Sequence, residues 1–249
     1  MTLASLAAQH YGDKAGGFIA GLPSTAVVSL LFIAYTHGAA HAYEATGVFP
    51  LSVAIYGIFL SVYAALAGRY GYTKALVGAT FAWCVLEYIL FRVHPSSDML
   101  WILAASTAVF LLSCLFVRGL HIPGHGPVPV RTTPGRITLQ AMASGAIVAA
   151  AVAGSRFGGP VLGGILSAFP AVAISTLAVT ARNAGVGLTR AMVLPMIVSG
   201  IINCTVFALA FRYTVAHARL LEALVLSYSA CMVSAFFTYT WLNRKKATA

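Results

Sequence analysis

Charged residues are scarce in this chain of 249 residues: they make up 8% of it, and only five are acidic. A typical soluble domain has about 25%, so the scarcity excludes a soluble globular enzyme and an ordinary nucleic-acid-binding domain. Cysteine is also sparse: the chain has four, which are too few for a disulfide framework. Apolar residues are abundant at 60%, and they predict an all-α polytopic membrane protein.

Eight apolar stretches are each long enough to cross a bilayer, which takes about 20 residues per helix. They lie at 17–36, 47–67, 73–92, 99–117, 137–155, 160–180, 191–211 and 220–241. The segments between them are short and leave no room for a nucleotide-binding fold. We therefore expect a single membrane domain over 1–249, with the lipid bilayer as its surroundings, no cofactor and no nucleic-acid partner.

Basic residues lie mostly on one predicted side of the membrane. One side has eleven: Lys14, Arg69, Lys74, Arg118, Arg131, Arg136, Arg182, Arg190, Arg244, Lys245 and Lys246. The other has four: Arg92, Arg156, Arg212 and Arg219. Cytoplasmic loops carry the excess of Lys and Arg, so this bias predicts a bacterial or archaeal cell-membrane protein with both termini in the cytoplasm.

Two segments align without a gap over 24 residues, from Ala15 to Gly38 and from Leu162 to Gly185, an offset of 147 (162 − 15). Seven positions are identical, including a Gly-Gly pair, a proline and the closing glycine. The order of later landmarks is also shared, as Pro50, Arg69 and Tyr70 correspond to Pro195, Arg212 and Tyr213. This pattern indicates an internal duplication.

The duplicated segments are the first and the sixth span, an offset of five (6 − 1). Because this offset is odd, the two segments cross the membrane in opposite directions. We expect a 3+2+3 arrangement, with repeat one at about 15–92, connecting helices at about 99–155 and repeat two at about 160–241. Inverted repeats of this kind are typical of secondary transporters, in which the substrate binds near the midplane where the copies meet.

The Gly-Gly pair followed by Gly-Leu-Pro, at Gly16, Gly17, Gly21, Leu22 and Pro23, resembles small inner-membrane proteins of the GlpM-like type, here in duplicated form. The second copy carries the motif less fully, through Gly163, Gly164, Phe169 and Pro170. The resemblance implies an inner-membrane location and brings no mechanism with it.

The predicted layout is also similar to that of zinc–iron permeases, in architecture only. Those proteins hold metal on His- and Glu-rich motifs of their fourth and fifth spans. The corresponding stretches here, 99–117 and 137–155, contain no His, Asp or Glu, and the predicted termini lie on the opposite side. The likeness therefore implies a layout and not a shared metal site.

Pro23 and Pro170 occupy equivalent positions inside apolar spans, where each removes a backbone hydrogen bond and frees a carbonyl. Such backbone is tolerated at membrane depth only where protein or a water-filled cavity covers it. Hydroxyls beside the break can bind a solute or a desolvated cation, or bond their own backbone. With the two prolines, the predicted substrate pathway comprises Ser24, Thr25, Ser29, Ser175, Thr176 and Asn203.

Asn203 also has a second interpretation, because an amide at mid-membrane often joins helices. Glu87 is the acid that lies clearly within a span. Intramembrane acids face a cavity or a partner, so Glu87 is a candidate for proton coupling. The alternative is that it pairs with Arg92 or reaches the membrane interface.

A predicted outer hairpin carries His37, His41 and Glu44. If this segment is one helix, the three side chains share a face at i, i+4 and i+7, which is a spacing that suits zinc or a similar divalent ion. Gly38 argues against a regular helix there. Interfacial histidines without a metal are the alternative.

These features favour a secondary transporter or facilitator of a small solute. A cation, including a divalent metal, is favoured over an anion because the only basic residues in the spans, Lys74 and Arg92, lie at the two ends of 73–92, and four of the five acids lie near the outer face. A passive channel and a non-transport protein of membrane assembly or envelope biogenesis remain open. The chain has no hydrolase or zinc-protease motif, so we expect no enzyme, while a homo-oligomer is left open.

Overall fold

The computed structural model describes residues 13–93, 98–124, 126 and 134–244. These residues form seven α-helices and contain no strand. The helices are α1 (Asp13–Ala20), α2 (Ser24–His37), α3 (Ala39–Val93), α4 (Met99–Gly119), α5 (Pro134–Ser167), α6 (Ala171–Val215) and α7 (Leu220–Arg244). An apolar chain in lipid must satisfy its backbone hydrogen bonds internally, and a helix does so within one segment. The all-α prediction is confirmed.

Five helical segments of the described chain are long and apolar enough to cross a membrane. They are Asp13–His37, Ala39–Val93, Met99–Gly119, Val148–Val215 and Leu220–Asn243. They indicate a membrane protein, in agreement with the composition. Arg131, Lys245 and Lys246 of the predicted charge bias lie outside the described residues, as do both chain ends.

Three of the helices are interrupted by a glycine with positive φ. Gly71 has φ 79° and ψ 165°, Gly159 has φ 79° and Gly185 has φ 85°. A side chain would be strained there, which is why glycine occupies these positions. The breaks divide α3 into α3a (39–70) and α3b (72–93), α5 into α5a (134–158) and α5b (160–167), and α6 into α6a (171–184) and α6b (186–215).

The centre of the bundle is the packed pair α3a and α6b, which run antiparallel. Tyr43, near the start of α3a, contacts Arg212 near the end of α6b, whereas Tyr63 bonds Thr189 at the opposite end, at 2.8 Å. The largest fully buried side chains of this pair include Phe49, Phe59, Leu60, Tyr63, Leu188, Met192, Met196, Phe207 and Phe211. The core is thus built mainly from one helix of each predicted repeat.

Two short helices, α1 and α5b, lie directly against the central pair. A Cβ on Gly17 of α1 would stand 2.5 Å from the carbonyl oxygen of Met192. A Cβ on Gly164 of α5b would likewise overlap the carbonyl oxygen of Ala45. Small residues allow helix backbones to approach this closely in lipid, so glycine at these positions serves packing.

The outer helices α4 and α7 flank this core. α4 packs against α3, and α7 packs against α6. Both expose large apolar side chains, such as Leu112 at 65% and Phe236 at 68%, which is what contact with lipid requires. At the start of α4, the Asp98 carboxylate accepts a hydrogen bond from the Leu100 amide at 2.9 Å and so caps the helix.

Candidate functional site

Two backbone breaks of the same geometry lie inside the bundle. Residues 21–23 separate α1 from α2, and residues 168–170 separate α5b from α6a. Pro23 has φ −76° and ψ 44°, and Pro170 has φ −75° and ψ 39°. The flanking hydrogen bonds also match, since Val27 donates to the Pro23 carbonyl at 2.9 Å and Ile174 to the Pro170 carbonyl at 2.8 Å. The predicted interruption at both prolines is confirmed.

The two duplicated segments also end alike. Gly38 closes α2 with φ 92° and ψ 164°, and Gly185 closes α6a with φ 85° and ψ 168°. The sequence numbers differ by 147 here (185 − 38), as they do at the prolines (170 − 23). Backbone geometry therefore repeats from the proline break to the closing glycine.

A cavity of about 50 Å³ lies between the two breaks. A cavity needs roughly 10–15 Å³ to hold one water molecule, so the space suits a few waters or one small ion. Both breaks contribute to its wall, together with α3a and α6b. Among the residues that line it are Leu22, Pro23, Thr25, Phe169, Pro170, Tyr56, Gly200 and Cys204.

The structure brings only part of the predicted pathway to this cavity. Pro23, Thr25 and Pro170 line it. Ser24 is exposed, and the hydroxyl of Ser175 bonds the Val172 carbonyl at 3.0 Å. Substrate binding by these residues stays a prediction.

Ser29 and Thr176 occupy equivalent positions one turn beyond the cavity wall, after Thr25 and Val172. Both are fully buried, and neither hydroxyl has a hydrogen-bond partner within the described part of the chain. Buried hydroxyls in a helix can bond a carbonyl one turn earlier. Those of Ser61, Ser106 and Ser167 do so at 2.8, 2.7 and 2.7 Å. The hydroxyls of Ser29 and Thr176, like those of Ser155 and Thr180, are therefore donors without a partner among the described residues, and the first two lie one turn from the cavity wall.

Asn203 lies in a separate polar cluster, outside the cavity wall. Its side-chain amide donates to Ser199 Oγ at 3.2 Å, and its Oδ1 accepts from Ser234 Oγ at 2.8 Å. The Thr238 hydroxyl, also from α7, lies 3.4 Å from the same oxygen. These bonds join α6b to α7, so the geometry matches the interpretation of Asn203 as a residue that holds helices together.

Glu87 is buried at 3% exposure, with one oxygen bonded and the other without a partner. The Ser52 hydroxyl of α3a donates to Oε1 at 2.6 Å. Oε2 has no partner among the described residues, and neither has Nε1 of Trp83, one turn away on α3b. The Trp83 ring packs edge-on against Phe169 of the second break, with centroids 5.1 Å apart.

Sequence reasoning missed Ser52 and Trp83 as neighbours of Glu87. The spacing from Trp83 to Glu87 is four residues, which places both on one helix face and would have paired them. Ser52 is 35 residues from Glu87 in the sequence, and no local pattern predicts that contact.

The predicted metal ligands do not share one helix, because α2 ends at His37 and Gly38 breaks the chain before α3. The rings of His37 and His41 nevertheless stack, with centroids 5.1 Å apart. His41 Nε2 lies 3.1 Å from the Ser155 carbonyl, and Glu44 is exposed. Within the described ranges, no group of three His, Cys, Asp or Glu side chains is placed to hold a metal. Metal binding by His37, His41 and Glu44 stays a prediction.

Two arginines tie the central helices together at opposite ends. Arg212 donates to the carbonyl of Tyr43, and its guanidinium carbon lies 3.6 Å from the centroid of the Tyr43 ring. We name this contact the first latch. At the other end, Arg190 Nε donates to the Ala64 carbonyl at 2.9 Å, which we name the second latch. Each latch joins α3a to α6b.

Residues 1–96 match the family model described as a protein of unknown function, DUF3147. The match covers less than half of the chain, and it ends just beyond α3b. The chain matches no curated protein and no solved structure.

Proposed function

We propose that the chain is a secondary transporter or facilitator that moves a small solute by alternating access of two inverted repeats, 15–92 and 160–241. The observation that carries this proposal is the reciprocal packing of Gly17 on Met192 and of Gly164 on Ala45. Adding 147, the offset of the gapless alignment, to 17 and 45 gives 164 and 192, whereas Pro50 and Pro195 differ by 145 (195 − 50) and lie outside this register. A two-fold rotation that exchanges the repeats therefore also exchanges these two contacts.

The orientation of the repeats is supported by the central helices. α3a and α6b stand at equivalent places in the two repeats, and they pack antiparallel. Equivalent helices that run in opposite directions are what an inverted repeat requires. The match to a family over 1–96 ends where repeat one ends, which supports this half as a unit that was duplicated.

Eight crossings in a 3+2+3 order are part of the proposal. A straight helix as long as Ala39–Val93, with 55 residues, would extend about 80 Å, whereas the hydrocarbon core is about 30 Å thick. Gly71 lies between two predicted spans, as do Gly159 and Gly185, and each is a point at which the chain can reverse. Lys14, Arg118 and Arg190 line one cavity at one end of the bundle, and we assign that end to the cytoplasm.

The cavity between the two breaks is the proposed substrate site. It lies between the repeats and beside the crossing of α3a and α6b. Rocking of one repeat against the other would therefore open this cavity to one side of the membrane at a time. One turn beyond its wall, Ser29 and Thr176 offer two hydroxyls that have no hydrogen-bond partner among the described residues, one from each repeat. The two latches join the central pair at its two ends, one on each side of this site.

A cation is the favoured substrate. No Lys, Arg, Asp or Glu of the described ranges lines the cavity, and α1 and α5b direct their carbonyl ends, the negative ends of their dipoles, to the breaks. The N-terminal ends of α2 and α6a also begin there and would favour an anion. Glu87 supports a cation, because it is a buried acid whose Oε2 has no partner among the described residues, and it lies one turn from Trp83, which contacts the second break.

A flux screen with purified protein in liposomes tests this function. Each vesicle population carries a gradient of one solute: sodium, potassium, a divalent metal, chloride or a neutral metabolite. We expect protein-dependent flux of a cation that is driven uphill by a second gradient. Flux that only follows its own gradient identifies a passive channel, and folded protein that moves none of them is inconsistent with transport and favours an assembly role.

A further inference from the structure

A second cavity, of about 360 Å³, lies at the end of the bundle where α1 begins and α4 and α7 end. Three basic side chains from three helices line it: Lys14 of α1, Arg118 of α4 and Arg190 of α6b. Among the described residues of its wall Asp13 is the acid, so this part of the lining carries a formal net charge of +2 (3 − 1) from its Lys, Arg and Asp side chains. The cavity is therefore electropositive.

The basic groups are positioned by neutral backbone and keep donors to spare. Lys14 Nζ donates to the Leu242 carbonyl at 3.1 Å, and Arg190 uses Nε for the Ala64 carbonyl. Arg118 is exposed, and its guanidinium forms no observed hydrogen bond with another described residue. A carbonyl does not neutralise a charge, and Lys and Arg have three and five N–H donors. Donors therefore remain for an anion.

The rest of the wall is apolar. Val117 and Ile122 form one side, and Leu194 and Val198 form another. Trp241, 45% exposed, stands at the rim. Trp is typical of the level at which lipid headgroups meet the hydrocarbon. A cationic pocket with apolar walls and an interfacial Trp combines the features that bind both parts of an acidic lipid.

We propose that this cavity binds the phosphate headgroup of an anionic phospholipid, with an acyl chain along its apolar wall. The phosphate oxygens accept hydrogen bonds from Arg118, Arg190 and Lys14. This site is separate from the cavity between the proline breaks, and the proposal rests on the membrane location and the charge of the pocket, not on transport.

Lipid binding to the full chain is the test. The protein is held in zwitterionic phosphatidylcholine nanodiscs or micelles and titrated with phosphatidylglycerol, while native mass spectrometry counts the bound lipids. One basic residue near a membrane surface contributes about fivefold to the affinity. Arg118→Gln should therefore weaken binding about fivefold, whereas Arg118→Lys, which keeps the charge, should retain most of it.

Arg69→Gln is the matched control. Arg69 lies near the C-terminal end of α3a, at the same end of the bundle as Arg190, and it is exposed over the Tyr70 ring outside the cavity. Melting in phosphatidylcholine alone checks that each variant is folded. Equal losses in Arg118→Gln and Arg69→Gln would overturn the proposal, since they would mean diffuse attraction to a charged surface. Competition by millimolar inorganic phosphate would also overturn it, because the site would then hold a free anion.

Discussion

The carbonyl oxygen of Met192 lies 2.5 Å from the position that a Cβ would take on Gly17. That contact has a counterpart between Gly164 and Ala45, 147 residues away at each partner. A side chain at either glycine must push a helix backbone away. If the two repeats are related by two-fold symmetry, substitutions at Gly17 and Gly164 should therefore have similar effects.

We expect Gly17→Ala and Gly164→Ala each to lower the free energy of unfolding, by about 1–3 kcal/mol, as overpacking does in a close-packed interior. Gly119→Ala is the control, because a Cβ there meets no atom within 4 Å among the described residues. Thermal or denaturant unfolding in detergent measures all three. Losses at Gly17 and Gly164 that do not exceed the Gly119 value would contradict the close packing.

The hydroxyls of Ser29 and Thr176, which have no partner among the described residues, give a prediction in which stability and transport change in opposite directions. A buried donor without a partner costs about 1–3 kcal/mol, so Thr176→Val and Ser29→Ala should leave stability unchanged or raise it. If the hydroxyls bind the solute, the same variants should slow flux severalfold. Ser106→Ala is the control, since that hydroxyl bonds the Ile102 carbonyl on α4 at 2.7 Å. Unchanged flux in both variants would remove Ser29 and Thr176 from the pathway.

Glu87 is expected to couple transport to protons. Glu87→Gln keeps an oxygen for the Ser52 hydroxyl but has no exchangeable carboxyl proton, so uphill flux driven by a pH gradient should be lost while downhill flux persists. Ser52→Ala removes the hydrogen bond and keeps the carboxyl, and it should retain coupling. The measurement is solute uptake into liposomes with and without an imposed pH gradient. Coupling that survives in Glu87→Gln would exclude this role.

Residues with strong local geometry were the ones that the sequence could predict. Pro23 and Pro170 must break a helix, because proline lacks the N–H and clashes with the preceding turn. Because their spacing to Gly38 and Gly185 is equal, the sequence alone indicates that the two segments share a geometry. Gly38 likewise explains why His37 and His41 do not share a helix.

Partners across helices could not be predicted. In lipid, apolar periodicity does not mark the buried face of a helix, since the surroundings are as apolar as the core. Nothing local therefore indicates that Ser52 meets Glu87 or that Arg212 reaches Tyr43. The orphaned hydroxyl of Thr176 is equally invisible, because its sequence context does not show whether it bonds its own backbone.

The latches yield a prediction about access from the two sides of the membrane. Thr46 is buried beside the first latch, 3.5 Å from Arg212, and Thr189 is buried beside the second, next to Arg190 on α6b. In a variant whose four native cysteines are replaced by Ala, Thr46→Cys and Thr189→Cys report access through labelling by a polar maleimide. Removing a cation–π contact and its hydrogen bond costs about 1–2 kcal/mol, so Arg212→Gln should raise labelling at position 46 about tenfold.

Alternating access also predicts how labelling changes at position 189, beside the second latch. When the first latch opens, the second stays closed, so Arg212→Gln should leave labelling at position 189 unchanged or lower it. Arg190→Gln should reverse the pattern. Because α3a and α6b contribute to both latches, a variant that merely loosened this pair would raise labelling at both positions together. That outcome would show local unfolding, and it would contradict two gates that open in turn.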